Sequence, residues 1–233
     1  MLSPISQLKK QVTMIKKTIL FMLLFTIQNI IIGQNNKLDN VQDFQDFVSK
    51  AKKGKWKQVR NKKGVSLHYR SLSLFDEIET RQMSAKFQVS SNLLDTIITQ
   101  IKEPENIKLW NESIREVKLL KNDATNWILH SVYKIPFPFA QQDLVASYLL
   151  TKKRDTLILS SKSLPKYIKE KKGVTRESYN LSQWLLIRRD NGEIDVEFSA
   201  ISLSNSTIPR FIKDPIIQRK LLKSFIKLKE RLQ

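Results

Sequence analysis

The sequence contains no cysteine and only two histidines, His68 and His130, among its 233 residues. The missing cysteine excludes disulfides, thiol nucleophiles, cysteine-bound zinc and lipid attachment through an N-terminal cysteine. Two histidines leave almost no material for a metal site or a Ser-His triad, so we expect neither a metal nor a cofactor. Glycine is also scarce, at 5 residues, and there is no low-complexity tract, so long disorder is not expected.

Acidic residues are the other shortage, because 22 Asp and Glu stand against 41 Lys and Arg and give a formal net charge of +19. The densest basic stretch runs from Lys50 to Lys63 and contains eight Lys or Arg and no acid. This excess indicates either a general lysine bias that aids solubility or an attraction to anionic membranes or nucleic acid. Composition alone leaves both interpretations open.

The N-terminus has the pattern of a secretory signal peptide. Lys16 and Lys17 precede an apolar run from Thr18 to Ile32, and polar residues follow from Gly33. The run falls short of the roughly 20 apolar residues that a membrane-spanning helix needs. We therefore expect cleavage near Gly33, with an uncleaved membrane anchor as the alternative.

This leader gives the predicted organisation, a signal peptide over residues 1–33 and one domain over residues 34–233. Met14 is an alternative start that would give a more compact leader. A cleaved leader implies a secreted or periplasmic protein, whereas an uncleaved one implies a membrane-anchored protein. Because a secreted protein rarely meets nucleic acid, we do not expect nucleic acid as a partner.

The remainder of the chain alternates in the way that strands and helices of an α+β domain do. Phe44 and Phe47 belong to a short amphipathic helix that Asp39 or Asn40 could cap. A second helix begins at Ser90 or Ser91 and ends before Pro104. The predicted strands cover residues 65–70, 83–89, 113–122, 125–135, 141–152, 156–160, 179–189 and 193–203, while Trp110 and residues 161–176 are expected in loops.

The last helix is predicted to close the core. Pro209 and Pro215 frame its start, and its apolar residues recur three or four positions apart. These residues are Ile217, Leu221, Phe225, Leu228 and Leu232.

The stretch from Trp127 to Leu150 carries more aromatic and aliphatic residues than one side of a small sheet needs. Pro136 and Pro138 must lie at a bend, since proline cannot donate a ladder hydrogen bond inside a strand. Strict alternation then places one set of side chains from both strands on a single face. We interpret this face as the wall of an apolar space.

Four segments resemble the START domain, the StAR-related lipid-transfer module of the helix-grip (Bet v 1-like) superfamily. They occur in the family's order over nearly all of the predicted mature chain. The segments are Trp56 with GVSLHYRSL (Gly64–Leu72), KLWNESIREVKLL (Lys108–Leu120), VYKIPFPFAQQDLV (Val132–Val145) and STIPRFI (Ser206–Ile212) before the final helix.

The resemblance implies a helix-grip fold, in which a curved antiparallel sheet wraps around a long C-terminal helix and encloses a hydrophobic cavity. It implies non-catalytic binding or transfer of one lipid or similar apolar molecule. We expect a monomer, and the positive charge indicates an anionic membrane surface as a further partner. The expected ligand-binding residues are Met83, Phe87, Trp127, Leu129, Ser131, Tyr133, Gln142, Leu144, Ala146, Tyr148, Phe198, Ala200 and Phe211.

Two departures and two alternatives accompany this reading. The family usually has Arg-Asp after the proline-rich link, where this chain has Gln142-Asp143. Some relatives bury a charged pair at positions that align with Ser131 and Tyr148, so a neutral ligand is favoured here. The alternatives are a cyclase or hydrolase of the same superfamily, whose best acid–base candidate is His130, and a basic peripheral envelope protein that binds anionic membranes.

Overall fold

The computed structural model describes Leu38 and residues 40–135, 140–203 and 210–233, and gives the side chains of the last helix from Asp214 onward. The predicted leader, the proline-rich link at 136–139 and the segment 204–209 lie outside these ranges. No helix within the described ranges has both the length and the apolar character needed to cross a membrane.

The described elements are dominated by strands that pair into one curved, mainly antiparallel sheet. The helices are α1 (Phe44–Lys50), α2 (Leu94–Lys102), α3 (Pro104–Trp110) and α4 (Arg210–Arg231), with a 3₁₀ turn at Ser91–Leu93. The strands are β1 (Lys52–Lys53), β2 (Lys57–Lys62), β3 (Val65–Leu74), β4 (Ile78–Ser90), β5 (Ile114–Asn122), β6 (Asn126–Tyr133), β7 (Gln141–Lys153), β8 (Thr156–Ser163), β9 (Val174–Arg176), β10 (Asn180–Arg188) and β11 (Glu193–Ser202).

The strand order across the sheet is β1-β3-β4-β11-β10-β8-β7-β6-β5. Strand β2 pairs with β3 beside β1, and the short strand β9 pairs with β7 in parallel. Residues 43–233 form one compact unit that contains the whole sheet and α4. The predicted α+β helix-grip architecture, a curved antiparallel sheet with a long C-terminal helix, is confirmed.

Local sequence explains the hairpins. Lys63 and Gly64 join β2 to β3 with φ angles of 52° and 69°. Positive φ at both central residues is the requirement of the tight turn whose twist matches that of the flanking strands. At the β10–β11 connection, the predicted Asn191-Gly192 turn places Gly192 at φ 79°.

The helix boundaries correct two expectations. Helix α1 is capped by Asp43, whose carboxylate accepts from the Asp46 amide at 2.9 Å, and not by Asp39 or Asn40. Trp110 is the last residue of α3 and not part of a loop. Pro104 explains the error, because proline cannot continue one helix but is favourable in the first turn of the next.

Two further expectations about loops were wrong. Strand β8 continues to Ser163, and Val174–Arg176 adds a strand, so the predicted loop over 161–176 is shorter than expected. Pro215 lies inside α4 and not before it. Pro215 is the sixth residue of this helix, so it removes one backbone hydrogen bond and its ring crowds the carbonyl four residues earlier.

The densest part of the core lies where the second half of α4 meets the sheet. Phe225 is 2% exposed, and its ring lies within 5.3–6.2 Å of those of Phe87, Trp110, Trp184 and Phe198. Leu228 of α4 and Leu232, directly after the helix end, belong to the same buried cluster.

Candidate functional site

Side-chain size changes abruptly between two neighbouring levels of the inner sheet face. At one level Trp184 of β10 pairs with Phe198 of β11, and their ring centroids are 4.9 Å apart. Two residues away along the same strands, Ser182 pairs with Ala200 of β11 and with Ser161 of β8. Large rings fill the first level against α4, whereas small side chains leave the second level open.

The open level is part of a cavity of about 500 Å³ between the sheet and the first half of α4. This volume lies within the range of roughly 300–1,000 Å³ that is typical of small-molecule sites. The cavity is far larger than a single-water site, since one water occupies about 30 Å³ of the liquid.

Most of the predicted ligand-binding residues line this cavity. They are Met83, Leu129, Ser131, Tyr133, Gln142, Leu144, Tyr148, Phe198 and Ala200. Alternation along β4, β6, β7 and β11 brings them together, because every second side chain points to the concave face. Their contact with a ligand stays a prediction.

The structure places Phe87, Trp127 and Ala146 outside the cavity lining. Phe87 packs on Phe225, which fills the space next to it. The fully buried Trp127 stacks on Tyr148 at 5.7 Å, so the tyrosine lies between it and the cavity. The Ala146 side chain is too short to reach past its neighbours, and the side chain of Phe211 lies outside the described residues.

Helix α4 changes role along its length. Ile217 and Leu221 form part of the cavity wall, Phe225 borders both the cavity and the core, and Leu228 lies in the core. The middle of the helix is fixed to the start of β5, because the Ser224 hydroxyl accepts from the Glu112 amide at 2.9 Å. Two lysines one turn apart, Lys223 and Lys227, also pair with the Glu112 carboxylate.

Hydrogen bonds from these lysines are the main reason that the pKa of the Glu112 carboxyl is lowered. The first half of α4 is held less extensively. Asp214 forms an ion pair with Arg81 of β4, and the Lys220 ammonium donates to the Lys134 carbonyl. The described contacts therefore anchor the helix at Glu112 and leave two polar links near its start.

Several hydrogen-bonding groups face the cavity. The hydroxyls of Ser161 and Ser182 are 2.6 Å apart, and both residues are buried. Ser131 is 8% exposed, and the described residues offer no hydrogen bond to its hydroxyl or to the Gln142 amide. Burial raises the pKa of the Tyr148 hydroxyl to about 12, so this group stays neutral.

Glu177 is a charged member of the cavity wall that the sequence did not predict. It is 9% exposed, and its carboxylate accepts from the Ser202 hydroxyl at 2.5 Å. Burial raises the pKa of the nearby Tyr133 hydroxyl, and the charge of Glu177 contributes in the same direction. The wall therefore carries polar as well as apolar side chains.

Comparison with known proteins gives a consistent assignment of fold. A STAR-related lipid transfer protein fragment from Xanthomonas axonopodis superposes with a TM-score of 0.66 at 17% identity, covering 76% of this chain and 98% of that chain. Human StAR-related lipid transfer protein 5 superposes with a TM-score of 0.61 at 14% identity, covering 76% of this chain and 86% of that one. The chain has the fold of a START domain.

Sequence comparison adds less. An uncharacterised protein of Pseudomonas aeruginosa is 23% identical over 169 residues, which cover 70% of this chain and 79% of that protein. No protein-family profile matches the chain. The resemblance predicted from four sequence segments is thus confirmed as a START fold.

Asp143 of the Gln142-Asp143 pair is bound by an arginine that lies elsewhere in the chain. Arg176 of β9 lies opposite Asp143 in the parallel pairing and binds its carboxylate through two nitrogens, at 2.7 and 3.0 Å. A third nitrogen donates to the Pro165 carbonyl at 2.8 Å. The arginine thus comes from a later strand, and Gln142 is left free to face the cavity.

The Arg176–Asp143 pair lies on the outer face of the cavity wall. The two side chains are 3% exposed. Burial alone would raise the pKa of Asp143, but hydrogen bonds from Arg176 and His130 outweigh it and hold the pKa below the usual value. The pair ties β7, which forms much of the wall, to the loop that follows β8.

The position of His130 bears on the enzymatic alternative, which requires an acid–base group inside the cavity. Its Nε2 is 2.8 Å from Oδ2 of Asp143, so it does lie beside an acid. It does not line the cavity, however, and its partner is already bound by Arg176. The described residues also contain no group of three or more His, Cys, Asp or Glu that could hold a metal ion.

Sequence reasoning missed Ser161, Ser182, Glu177 and Arg176. The predicted strand 156–160 ends before Ser161, whereas β8 continues to Ser163, and the prediction assigns Ser182 of β10 to no face. Their alternation with Leu159 and Trp184 was the available signal. Nothing local to Glu177 or Arg176 distinguishes them from the many other charged residues of the chain.

Proposed function

We propose that this protein binds one hydrophobic or amphipathic molecule in its cavity and carries it without changing it chemically. The cavity of about 500 Å³ between the sheet and α4 is the observation that carries the proposal. Solved proteins of the same fold that are named for lipid transfer support it.

Burial of an alkyl chain supplies the binding free energy. Each buried methylene contributes roughly 0.8 kcal/mol, so a chain of about ten methylenes contributes about 8 kcal/mol before the cost of ordering it. Leu129, Leu144, Ile217 and Leu221 provide the apolar surface that such a chain requires.

The polar side chains of the cavity wall favour a ligand that also carries a neutral hydrogen-bonding group. Ser131 and the Ser161–Ser182 pair are buried and Gln142 is half-buried, and buried polar groups nearly always find partners. A hydroxyl, ester or amide on the ligand would satisfy them. These groups can both donate and accept, so they distinguish such a ligand from a plain hydrocarbon.

Extraction of the purified full chain with organic solvent, followed by mass spectrometry, tests the proposal. We expect one amphipathic molecule per protein, with an alkyl portion and an uncharged polar group. A folded protein that contains no such molecule, and that takes up none from a total lipid extract, would contradict it.

The same proposal includes the cellular location of the protein. The signal peptide over residues 1–33 would place the protein outside the cytoplasm, where an anionic membrane is the source or acceptor of the ligand. Intact-mass measurement of the protein from its native host tests this. We expect a mature chain that begins near Gly33, and a full-length chain held in the membrane would support the anchored alternative.

A further inference from the structure

A groove lies directly outside one end of the cavity, at the free edge of the sheet. Its volume is about 270 Å³, and the residues that line it are Lys55, Lys57, Tyr69, Ser71, Glu79, Thr80 and Arg81. Tyr69, Glu79, Thr80 and Arg81 also line the main cavity. A molecule leaving the cavity at this end therefore passes into the groove.

The groove carries positive charge that the protein leaves unbalanced. Arg81 is paired with Asp214, and Glu79 is an acid among the lining residues. Lys55 and Lys57 are exposed, and within the described part of the chain neither has an ion-pair partner. The same holds for their neighbours along this edge, Lys53, Arg60 and Lys62.

An exposed aromatic side chain accompanies these cations. Trp56, between the two groove lysines, is 40% exposed, and the Arg70 guanidinium lies 4.6 Å from its ring centroid. Tryptophan is enriched where protein meets the interface of a bilayer, because its ring is apolar and its N–H is polar. Phe75, in the β3–β4 turn of the same edge, is 42% exposed.

We propose that this edge, formed by Lys53, Lys55, Trp56, Lys57, Arg60 and Lys62, docks on an anionic lipid bilayer. The cations bind the phosphate groups of the lipids, and Trp56 lies at the level of the headgroups. In this orientation the cavity faces the bilayer through the groove, so a ligand can pass between them with little exposure to water. This role of the groove rests on the proposed function, whereas the docking itself does not.

Loss of the two groove lysines tests the docking surface. The full chain is sedimented with phosphatidylcholine vesicles that contain or lack phosphatidylglycerol. We expect Lys55→Gln/Lys57→Gln to weaken binding to the anionic vesicles roughly 30-fold, which corresponds to about 1 kcal/mol for each lysine. The matched control is Lys152→Gln/Lys153→Gln, which removes the same charge from exposed positions at the β7–β8 hairpin.

The control separates a docking surface from general charge attraction. Equal loss in both double variants, or wild-type binding by Lys55→Gln/Lys57→Gln, would overturn the proposal. Binding of duplex DNA that is stronger than vesicle binding and depends on the same lysines would also overturn it. Only a loss specific to the groove variant supports an orientation in which this edge faces the bilayer.

A spectroscopic readout checks the orientation independently. Trp56 emission, obtained as the difference between the wild type and Trp56→Phe, should shift to shorter wavelength when anionic vesicles are added. An unchanged Trp56 emission in vesicle-bound protein would overturn the proposed edge. Ligand content is measured separately, so a protein that docks through this edge but carries no ligand would contradict the proposed function alone.

Discussion

The space between the sheet and α4 is filled in one half of the domain and open in the other, although the same strands and the same helix border both halves. In one half, the Phe225 ring of α4 packs against those of Trp184 and Phe198, and these rings form the boundary of the cavity. In the other half, the same helix faces Ser182 and Ala200 across a cavity of about 500 Å³. Side-chain volume at a few inward positions therefore decides where the sheet and α4 form a packed core and where they leave a cavity.

The filled half should contribute most of the free energy of unfolding. Two variants on α4 give the largest expected difference between the halves. Phe225→Ala removes a ring that contacts four other aromatic side chains, so we expect a loss of about 3–5 kcal/mol in the free energy of unfolding. Leu221→Ala, one turn earlier and facing the cavity, should cost no more than about 1–2 kcal/mol, since the site is already incompletely packed.

Urea denaturation of the two variants provides the measurement. Equal losses for Phe225→Ala and Leu221→Ala would mean that the two halves do not differ in packing.

In the open half, the sheet faces the cavity and not a packed core. We therefore expect contacts on the outer face of the sheet to stabilise this part of it. Arg176→Met leaves the buried Asp143 carboxylate without its main partner, and we expect a loss of about 3 kcal/mol. Arg189→Met is the control, because its pair with Asp195 is exposed and such pairs contribute less than about 1 kcal/mol. A similar stability for both variants would show that the Arg176 contact does not support the wall.

The same pair predicts how stability depends on pH. The pKa of Asp143 is below its ordinary value of 3.8, so the folded state binds this proton less readily than the unfolded chain does. Its contribution to stability is therefore present above pH 3.8 and is lost as the pH falls through the lower pKa of the folded protein. Unfolding measured from pH 6 to about pH 2 should be less pH-dependent in Arg176→Met.

An unchanged acid dependence in Arg176→Met would assign the effect to other carboxylates. Asp195, whose pKa is lowered mainly by its hydrogen bond from Gln88, provides the comparison. Its side chain is 29% exposed, so Asp195→Asn should change the acid dependence less than Asp143→Asn.

The contrast between the halves also explains how far the sequence could predict the site. Alternation identified the strands and the inward faces, because the period of two is a local property. It could not distinguish Phe87 and Trp127 from Met83 and Tyr148, which share those faces. Whether an inward side chain meets Phe225 or empty space depends on α4, more than 100 residues away for Phe87.

Long-range pairing set the other limits. Asp143 and Arg176 are 33 positions apart, and only the parallel pairing of β7 with β9 brings them together. Pro104 was correctly predicted to end a helix, but its ability to begin α3 was missed, and Trp110 was misplaced as a result. Local chemistry predicted the turns well and tertiary partners poorly.

Filling the open half should remove its function while leaving its fold intact. Ala200→Phe places a ring between Met83 and Ser182, so we expect it to block the cavity with a change of about 1 kcal/mol or less in stability. Thr151→Phe adds the same ring at an exposed position of β7 and serves as the control.

Quenching of tryptophan fluorescence by a brominated fatty alcohol tests directly whether the cavity binds a ligand. Trp110 and Trp184 line the cavity, whereas Trp56 lies on the surface, so Trp56→Phe is the background in which all variants are measured. We expect saturable quenching at one molecule per protein in this background and in Thr151→Phe, and at least a tenfold weaker response in Ala200→Phe. Equal quenching in Ala200→Phe, or none in any variant, would contradict a ligand held between Ala200 and α4.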